Sequence, residues 1–442
     1  MPLRPLAATL AAGLLVASAL LVASPAAADT PDDVALSGDP NVLAVDDGEI
    51  WVGTASGGID KIAADGSTTH LADLGAQVSV LTVAGDYLLV GLASSPVSVA
   101  RVDRTSGAVV SSTIPGGILG LAGIAAAGSR ISIVATTGES FTADLDTMVV
   151  VADAVTPGCQ AVTLAVVAGS EIVPCIDVNG WRIRMLSDPS GAWTLVSGLP
   201  VSHALAGTAS GVVHVGAMSG TSVTRYQVSG ASVTPLAPLT VPTAPFALAT
   251  SPDGSRLLVA SPFAGQVALV DLVTGAVIGG VSVPAGAPVA FVGDADHVAV
   301  ARAFDAEVAL FAAPRFTLPA AVELTSDEAL TITATETGMP GARYTSLRWQ
   351  TDTGSGWTDV PAATTSTLAL PSSAVVDGAR YRIVATSALF GEVASAPAVV
   401  TVAHSELAAT GAESGTLALA ATVLMLAGAV LLAARRRTLA SR

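Results

Sequence analysis

A glycine-bearing turn that returns about every forty residues is the feature that most limits how this chain can fold. Asp47-Gly48, Gly85-Asp86, Gly128-Ser129, Gly169-Ser170, Ser210-Gly211, Asp253-Gly254 and Gly293-Asp294 each follow an apolar segment, and their glycines recur at intervals of 37 to 43 residues. A period of this length marks a unit that cannot bury its apolar faces alone and must stack against copies of itself. Within each unit the apolar runs are short, rich in Val and Ile, and separated by Gly, Ser, Asp and Pro. No stretch carries a convincing helical period, so the runs read as strands.

The sixth unit is the clearest, with strands expected over 246–249, 256–260, 266–272 and 277–283 and turns at Asp253-Gly254 and Thr274-Gly275. Four strands in forty residues is the signature of a propeller blade. Residues 33–314 therefore read as a seven-bladed β-propeller. The seventh unit offers only three strands, 288–292, 297–301 and 307–311, before Pro314 breaks the pattern. A spare run at 33–36, ahead of the first unit, can complete that blade and so remove two open sheet edges. Ser251-Pro252-Asp253-Gly254, followed by 266–271 and Thr274-Gly275, resembles the YVTN-type repeat of surface propellers. The resemblance implies a fold and says little of chemistry.

The two ends carry address signals. Arg4, an apolar run over 6–22 and Ser24-Pro25-Ala26-Ala27-Ala28 make residues 1–28 a secretory signal peptide with a mature end at Asp29. Residues 416–434 contain no charge and precede Arg435-Arg436-Arg437. That is long enough for a transmembrane helix with a basic cytoplasmic tail over 435–442. Just upstream stand Leu407, Ala408, Ala409, Thr410 and Gly411. Pentapeptide, spacer, apolar helix and basic terminus in this order resemble a sortase substrate, and Leu-Ala-x-Thr-Gly resembles the class E signal of actinobacteria. The resemblance implies cleavage between Thr410 and Gly411 and covalent transfer of Thr410 to peptidoglycan, so the partners expected are sortase and the cell wall. The membrane is then engaged only through the C-terminal helix before sorting.

Residues 316–403 change to longer alternating strands, expected over 329–334, 346–350, 357–360, 367–370, 380–387 and 398–402. Trp349 and Asp377-Gly378-Ala379-Arg380-Tyr381 resemble the core tryptophan and tyrosine corner of bacterial immunoglobulin-like sandwiches. Ile383 stands where that family's second cysteine would be, which implies a domain held by packing. Between its end and the sorting motif lie only Ala403-His404-Ser405-Glu406, so the sandwich reads as a spacer for the propeller.

Charge and chemistry narrow the function. The formal charge is −16, with eighteen Arg and one Lys, Lys61. Cleavage at both ends would remove Arg4, then four Arg with Glu413, leaving a charge of about −20; such a chain is repelled by phosphate backbones, and no nucleic-acid partner is expected. Cys159 and Cys175 are the only cysteines, and a pair in an exported chain favours a disulfide over a metal site. They flank the turn at Gly169-Ser170 on neighbouring strands, slightly out of register, so a slip or bulge is expected to bring them together. No G-x-S-x-G elbow or phosphate loop occurs, and the inner-strand segments 42–45, 80–83, 123–127, 162–167, 204–207 and 246–249 hold no ionisable residue. The histidines are scattered and read as turn or surface residues. Neither a cofactor nor a metal nor catalysis is expected.

A propeller's D-to-A and B-to-C connections share one face, and here they carry Gly138-Glu139-Ser140-Phe141, Asp177-Val178-Asn179-Gly180-Trp181, Pro262-Phe263 and Ala303-Phe304-Asp305. Aromatics beside carboxylates on loops make a recognition surface. Asp177, Trp181, Phe263, Phe304 and Asp305 are thus the candidate ligand face, for an extracellular protein or glycan. The alternatives are an extracellular propeller enzyme, a lyase or hydrolase, and a structural envelope protein without a discrete ligand.

Overall fold

The computed structural model of the chain describes residues 32–403, apart from 154–155, 186–191, 203, 217–219, 285, 303 and 338–340. The signal segment 1–28, the pentapeptide Leu407–Gly411, the apolar segment 416–434 and the tail 435–442 lie outside the described residues. Among the described residues no helix is long and apolar enough to cross a membrane. The described residues divide into two compact units, one covering those up to Pro314 with 341–345 and Thr386–Gly391, the other formed by the remaining described residues.

The first unit is seven four-stranded antiparallel sheets. In chain order β1 (Asp32–Ala35) precedes a first blade of β2 (Pro40–Asp46), β3 (Glu49–Thr54), β4 (Gly58–Ile62) and β5 (Thr68–Asp73). The second holds β6 (Val78–Ala84), β7 (Tyr87–Leu92), β8 (Ser98–Asp103) and β9 (Val109–Thr113), and the third β10 (Leu121–Ala127), β11 (Arg130–Ala135), β12 (Ser140–Asp144) and β13 (Val150–Ala152). The fourth holds β14 (Ala165–Val167), β15 (Ser170–Cys175), β16 (Gly180–Met185) and β17 (Thr194–Ser197), and the fifth β18 (Leu205–Gly207), β19 (Val212–Gly216), β20 (Ser222–Ser229) and β21 (Ser232–Thr240). The sixth is β22 (Ala247–Thr250), β23 (Arg256–Ser261), β24 (Gln266–Asp271) and β25 (Val277–Ser282). The last is β26 (Gly286–Phe291), β27 (His297–Arg302) and β28 (Glu307–Ala312), completed by β1, whose Ala35 faces Glu307 and whose Asp32 faces Leu310. The first strands of successive blades touch in order around the ring, and β26 returns to β2. Head and tail of the unit are thereby locked in one sheet.

Burial explains why these segments form these strands. The second strand of each blade lies between two neighbouring sheets, so both its faces are covered and its sequence is apolar almost without alternation: Ile50-Trp51-Val52, Leu88-Leu89-Val90 and Leu257-Leu258-Val259-Ala260 are each between 0 and 2% exposed. The fourth strands line the rim and stay open, as Val109, Val110 and Val151 show. Blades also meet so closely at Gly53 that a Cβ there would lie 2.3 Å from Val78 Cγ1 of the next blade. Two expected inner strands are shorter in the structure: only Ala165–Val167 of 162–167 and Leu205–Gly207 of 204–207 are strand.

The second unit contains a sheet of β30 (Ala321–Thr325), β38 (Ala398–Ala403), β36 (Arg380–Ser387), β33 (Ser346–Asp352) and β34 (Thr358–Asp359), with β37 (Gly391–Ala394) against β36. β30 runs parallel to β38. Two short pairs accompany it, β31 (Leu330–Thr333) with β35 (Thr367–Leu370) and β29 (Phe316–Thr317) with β32 (Thr335–Glu336). Trp349, Tyr381 and Ile383 are buried, and the Trp349 indole N–H donates to Thr365 O at 2.8 Å.

Candidate functional site

The ring encloses a cavity of about 530 Å³ at the inner strands, bounded by residues such as Leu81, Ala125, Leu164 and Pro288. Its polar lining is hydroxyl, from Ser79, Thr82 and Thr163, and no ionisable side chain lines it among the described residues. Such a channel can exchange hydrogen bonds but holds no group to move a proton.

The charged groups that are buried lie elsewhere and are engaged with one another. Arg184, on β16, donates from Nε to Glu171 Oε2 at 2.6 Å and from Nη2 to Ser132 Oγ at 3.2 Å, with Asp153 Oδ2 at 3.4 Å from Nη1. Its guanidinium stands 4.3 Å from the Trp193 ring centroid. Arg184 and Glu171 are each 1% exposed, so this is a structural ion cluster rather than a site open to substrate. In the first blade, buried Asp60 accepts from Ser37 N at 2.7 Å and pairs with His70 Nδ1 at 2.7 Å. That hydrogen bond, with Asp73 beyond it, holds the His70 pKa above the usual imidazole value despite partial desolvation. His214, on β19, is different: burial, reinforced by the Arg225 charge, pushes its pKa down to about 4, and among the described residues neither ring nitrogen has a hydrogen-bond partner. The expectation that isolated histidines sit at turns or on the surface therefore fails for His214, 1% exposed, and His297, 9% exposed. Both occupy second strands, which are covered on two sides.

Cys159 and Cys175 form a disulfide with Cα atoms 5.6 Å apart. Ala165 faces Ile172 in regular register, whereas Ala161 bridges Cys175, one residue out of step. The irregular stretch 162–164 absorbs that slip. Asp177 Oδ1 accepts from Gln160 N at 3.0 Å, tying the connection after β15 to the segment that carries Cys159.

The candidate ligand face divides. Phe263, between β23 and β24, is 83% exposed, and Phe304, between β27 and β28, is 80% exposed. Asp305 and Asp177 are exposed on connections of the same type. These positions share one face because each joins the second strand of its blade to the third. Trp181 does not belong with them. It is the second residue of β16, fully buried, with its indole N–H donating to Pro200 O at 2.7 Å and its ring edge-on to Tyr226 at 5.2 Å. The connection ends at Asn179, so Trp181 already packs between blades. Phe141, expected on a loop, lies within β12 and is 3% exposed.

Two exposed apolar side chains on this face were not singled out by the sequence: Leu119, before β10 and 86% exposed, and Ile176, after Cys175 and 58% exposed. Leu119 sits in Pro115-Gly116-Gly117-Ile118-Leu119-Gly120, where glycines mark a connection and Ile118, 8% exposed, supplies its anchor. Next to it a hollow of about 210 Å³ is walled by Pro115, Ile118, Phe141 and Ala152, with Glu139 and Asp153 also in its wall.

No family model matches the chain. A stretch of 72 residues is 44% identical to Endoglucanase C of Cellulomonas fimi, which is 16% of this chain and only 6% of that protein. Among solved structures, the chain is similar to a chain of Hydrazine Synthase from Kuenenia stuttgartiensis at a TM-score of 0.51 and 14% identity, covering 66% of this chain and 98% of that one. A chain of the mitotic checkpoint complex gives 0.52 at 16% identity, covering 70% and 99%. The WD40 β-propeller domain of Doa1 gives 0.51 at 13% identity, covering 64% and 96%. At these identities what is shared is the fold, and the chain carries a WD40-like β-propeller.

Proposed function

We propose that this chain is a non-catalytic binding protein displayed outside the cell, attached through Thr410 to peptidoglycan by a sortase, with residues 316–403 as spacer and the propeller as recognition module. The observation that carries the binding role is the pair Phe263 and Phe304, large aromatic rings exposed at 83% and 80% on the second-to-third-strand connections of neighbouring blades. Aromatic side chains left in water on one face of a rigid scaffold favour burial against a partner. A protein or a glycan is the partner class this reading takes. The absence of ionisable groups from the described channel lining supports binding over lyase or hydrolase chemistry.

The display reading rests on the order of sequence signals at both ends. Wild type and Thr410→Ala should be compared in wall and membrane fractions. Release of the wild-type protein by detergent alone, without wall digestion, overturns the anchoring. For binding, immobilised full chain should capture extracellular proteins or glycans that the F263S/F304S double variant does not. Equal capture by both moves recognition off this face.

A further inference from the structure

The seven second-to-third-strand and seven fourth-to-first-strand connections of the propeller contain no Lys or Arg in their sequence. They do contain exposed Asp39, Glu139, Asp177 and Asp305. Lys61, Arg104, Arg130, Arg184 and Arg256 lie at or beyond the strand ends that lead to the opposite turns, and Arg101, Arg182 and Arg225 lie within β8, β16 and β20. Arg302, the cation at the end of β27 nearest the loops, is held between Asp33 and Glu307 at 3.1 Å each. The connections on one face thus carry acids and no Lys or Arg. The same face exposes Leu119, Ile176, Phe263 and Phe304, and carries the hollow where Glu139 meets apolar walls; the Asp153 carboxylate beside it is taken up by Arg184.

From this pairing of exposed apolar side chains with carboxylates and no cation, we infer that the face docks a cationic, apolar polypeptide segment, one presenting Lys or Arg beside large aliphatic or aromatic residues. This deepens the proposed binding role and rests on it. The apolar side chains supply the burial, and the acids set the sign of the partner and raise its encounter rate. An anionic polymer or anionic lipid is repelled by the same acids. A neutral glycan would leave the carboxylates unanswered.

The test uses the full chain and a fluorescein-labelled peptide of alternating Lys and Leu, with Gln–Leu, Glu–Leu and Lys–Ser counterparts, read by anisotropy at low and physiological salt. The expected result is binding of Lys–Leu above all three counterparts. It should weaken with salt and fall roughly fivefold or more in D39N/D177N/D305N, since several exposed charge pairs are lost together. F263S/F304S should weaken it as well. D47N/D86N, which removes two exposed acids from the opposite turns, should leave it unchanged. Equal weakening by D47N/D86N overturns the proposal in favour of diffuse acidity. Equal or better binding of Gln–Leu or Glu–Leu overturns it too, as does no binding of any peptide. In those cases the capture experiment with F263S/F304S decides independently whether the face recognises a partner of other chemistry.

Discussion

Acid should unfold the propeller through His214. Its imidazole is 1% exposed, neither nitrogen has a hydrogen-bond partner among the described residues, and Arg225 lies across the sheet as its Cα partner on β20. The folded-state pKa is depressed from the ordinary 6.5 to about 4, chiefly by burial and then by the Arg225 charge. The unfolded chain takes up the proton first, so protonation costs nothing well above pH 6.5 and draws stability away progressively as pH falls to 4. Linkage puts the loss at about 2 kcal/mol at pH 5 and about 3 kcal/mol at pH 4. His214→Leu removes the titration, and at neutral pH it also relieves a buried ring N–H without a partner, a burden of roughly 1–3 kcal/mol before any cost of changed shape. Urea unfolding of wild type and variant should be followed from pH 7.5 to 4, reading the transition of the propeller. The stability difference should widen in favour of Leu by about 2 kcal/mol between pH 7.5 and 5. His70 titrates with the opposite sign: its raised pKa means that its contribution is fully present below pH 6.5 and lost as pH rises through the folded value. It is common to both proteins and cancels in the difference. Parallel pH profiles for wild type and His214→Leu would refute the reasoning.

Three other changes probe the packing of the ring. Glu171→Ala should destabilise by about 3 kcal/mol in denaturant unfolding, because Arg184 keeps its buried charge and loses its 2.6 Å partner; an effect below about 0.5 kcal/mol would mean that Asp153 suffices. Cys159→Ala with Cys175→Ala should cost roughly 3 kcal/mol in the chain-entropy description of a bond spanning 16 residues, and thiol titration of the unfolded, unreduced wild-type chain should find no free thiol. Gly53→Val should cost about 1–3 kcal/mol by overpacking against Val78, visible as a lower thermal midpoint. An unchanged midpoint would show that the neighbouring blade yields freely.

Much of the fold was legible because the repeat constrains both period and composition. Turns at Asp253-Gly254 and Thr274-Gly275 are readable for local reasons: Asp253 accepts from Ser251 and Ser255, Asp271 accepts from Thr274, and both glycines take positive φ. Closure was legible from a missing strand at one end and a spare at the other. Elements with weaker alternation were missed, including β30, whose Ala321 to Thr325 are mostly open, and β37. The slip that joins Cys159 to Cys175 was readable as a need, but its location at 162–164 depends on where β14 stops pairing.

The site was legible to the extent that exposure follows chain position, and Trp181 shows where that relation ends. Phe263, Phe304 and Trp181 all stand beside a second-to-third-strand connection, and sequence alone makes them equivalent. The first two sit inside their connections, two residues after the strand ends at Ser261 and Arg302, and stay exposed there, Phe263 with an edge-on contact to the Phe246 ring at 4.7 Å. Trp181 follows Gly180, and that glycine already pairs with Cys175 and Ser197, its missing Cβ leaving room for Val196 O at 2.5 Å. One residue further, the indole points between sheets and meets Tyr226 of the next blade. A shift of a few positions across the strand boundary therefore separates a residue that holds blades together from one left to meet a partner. Boundaries at that precision are set by inter-blade packing, which no local pattern encodes.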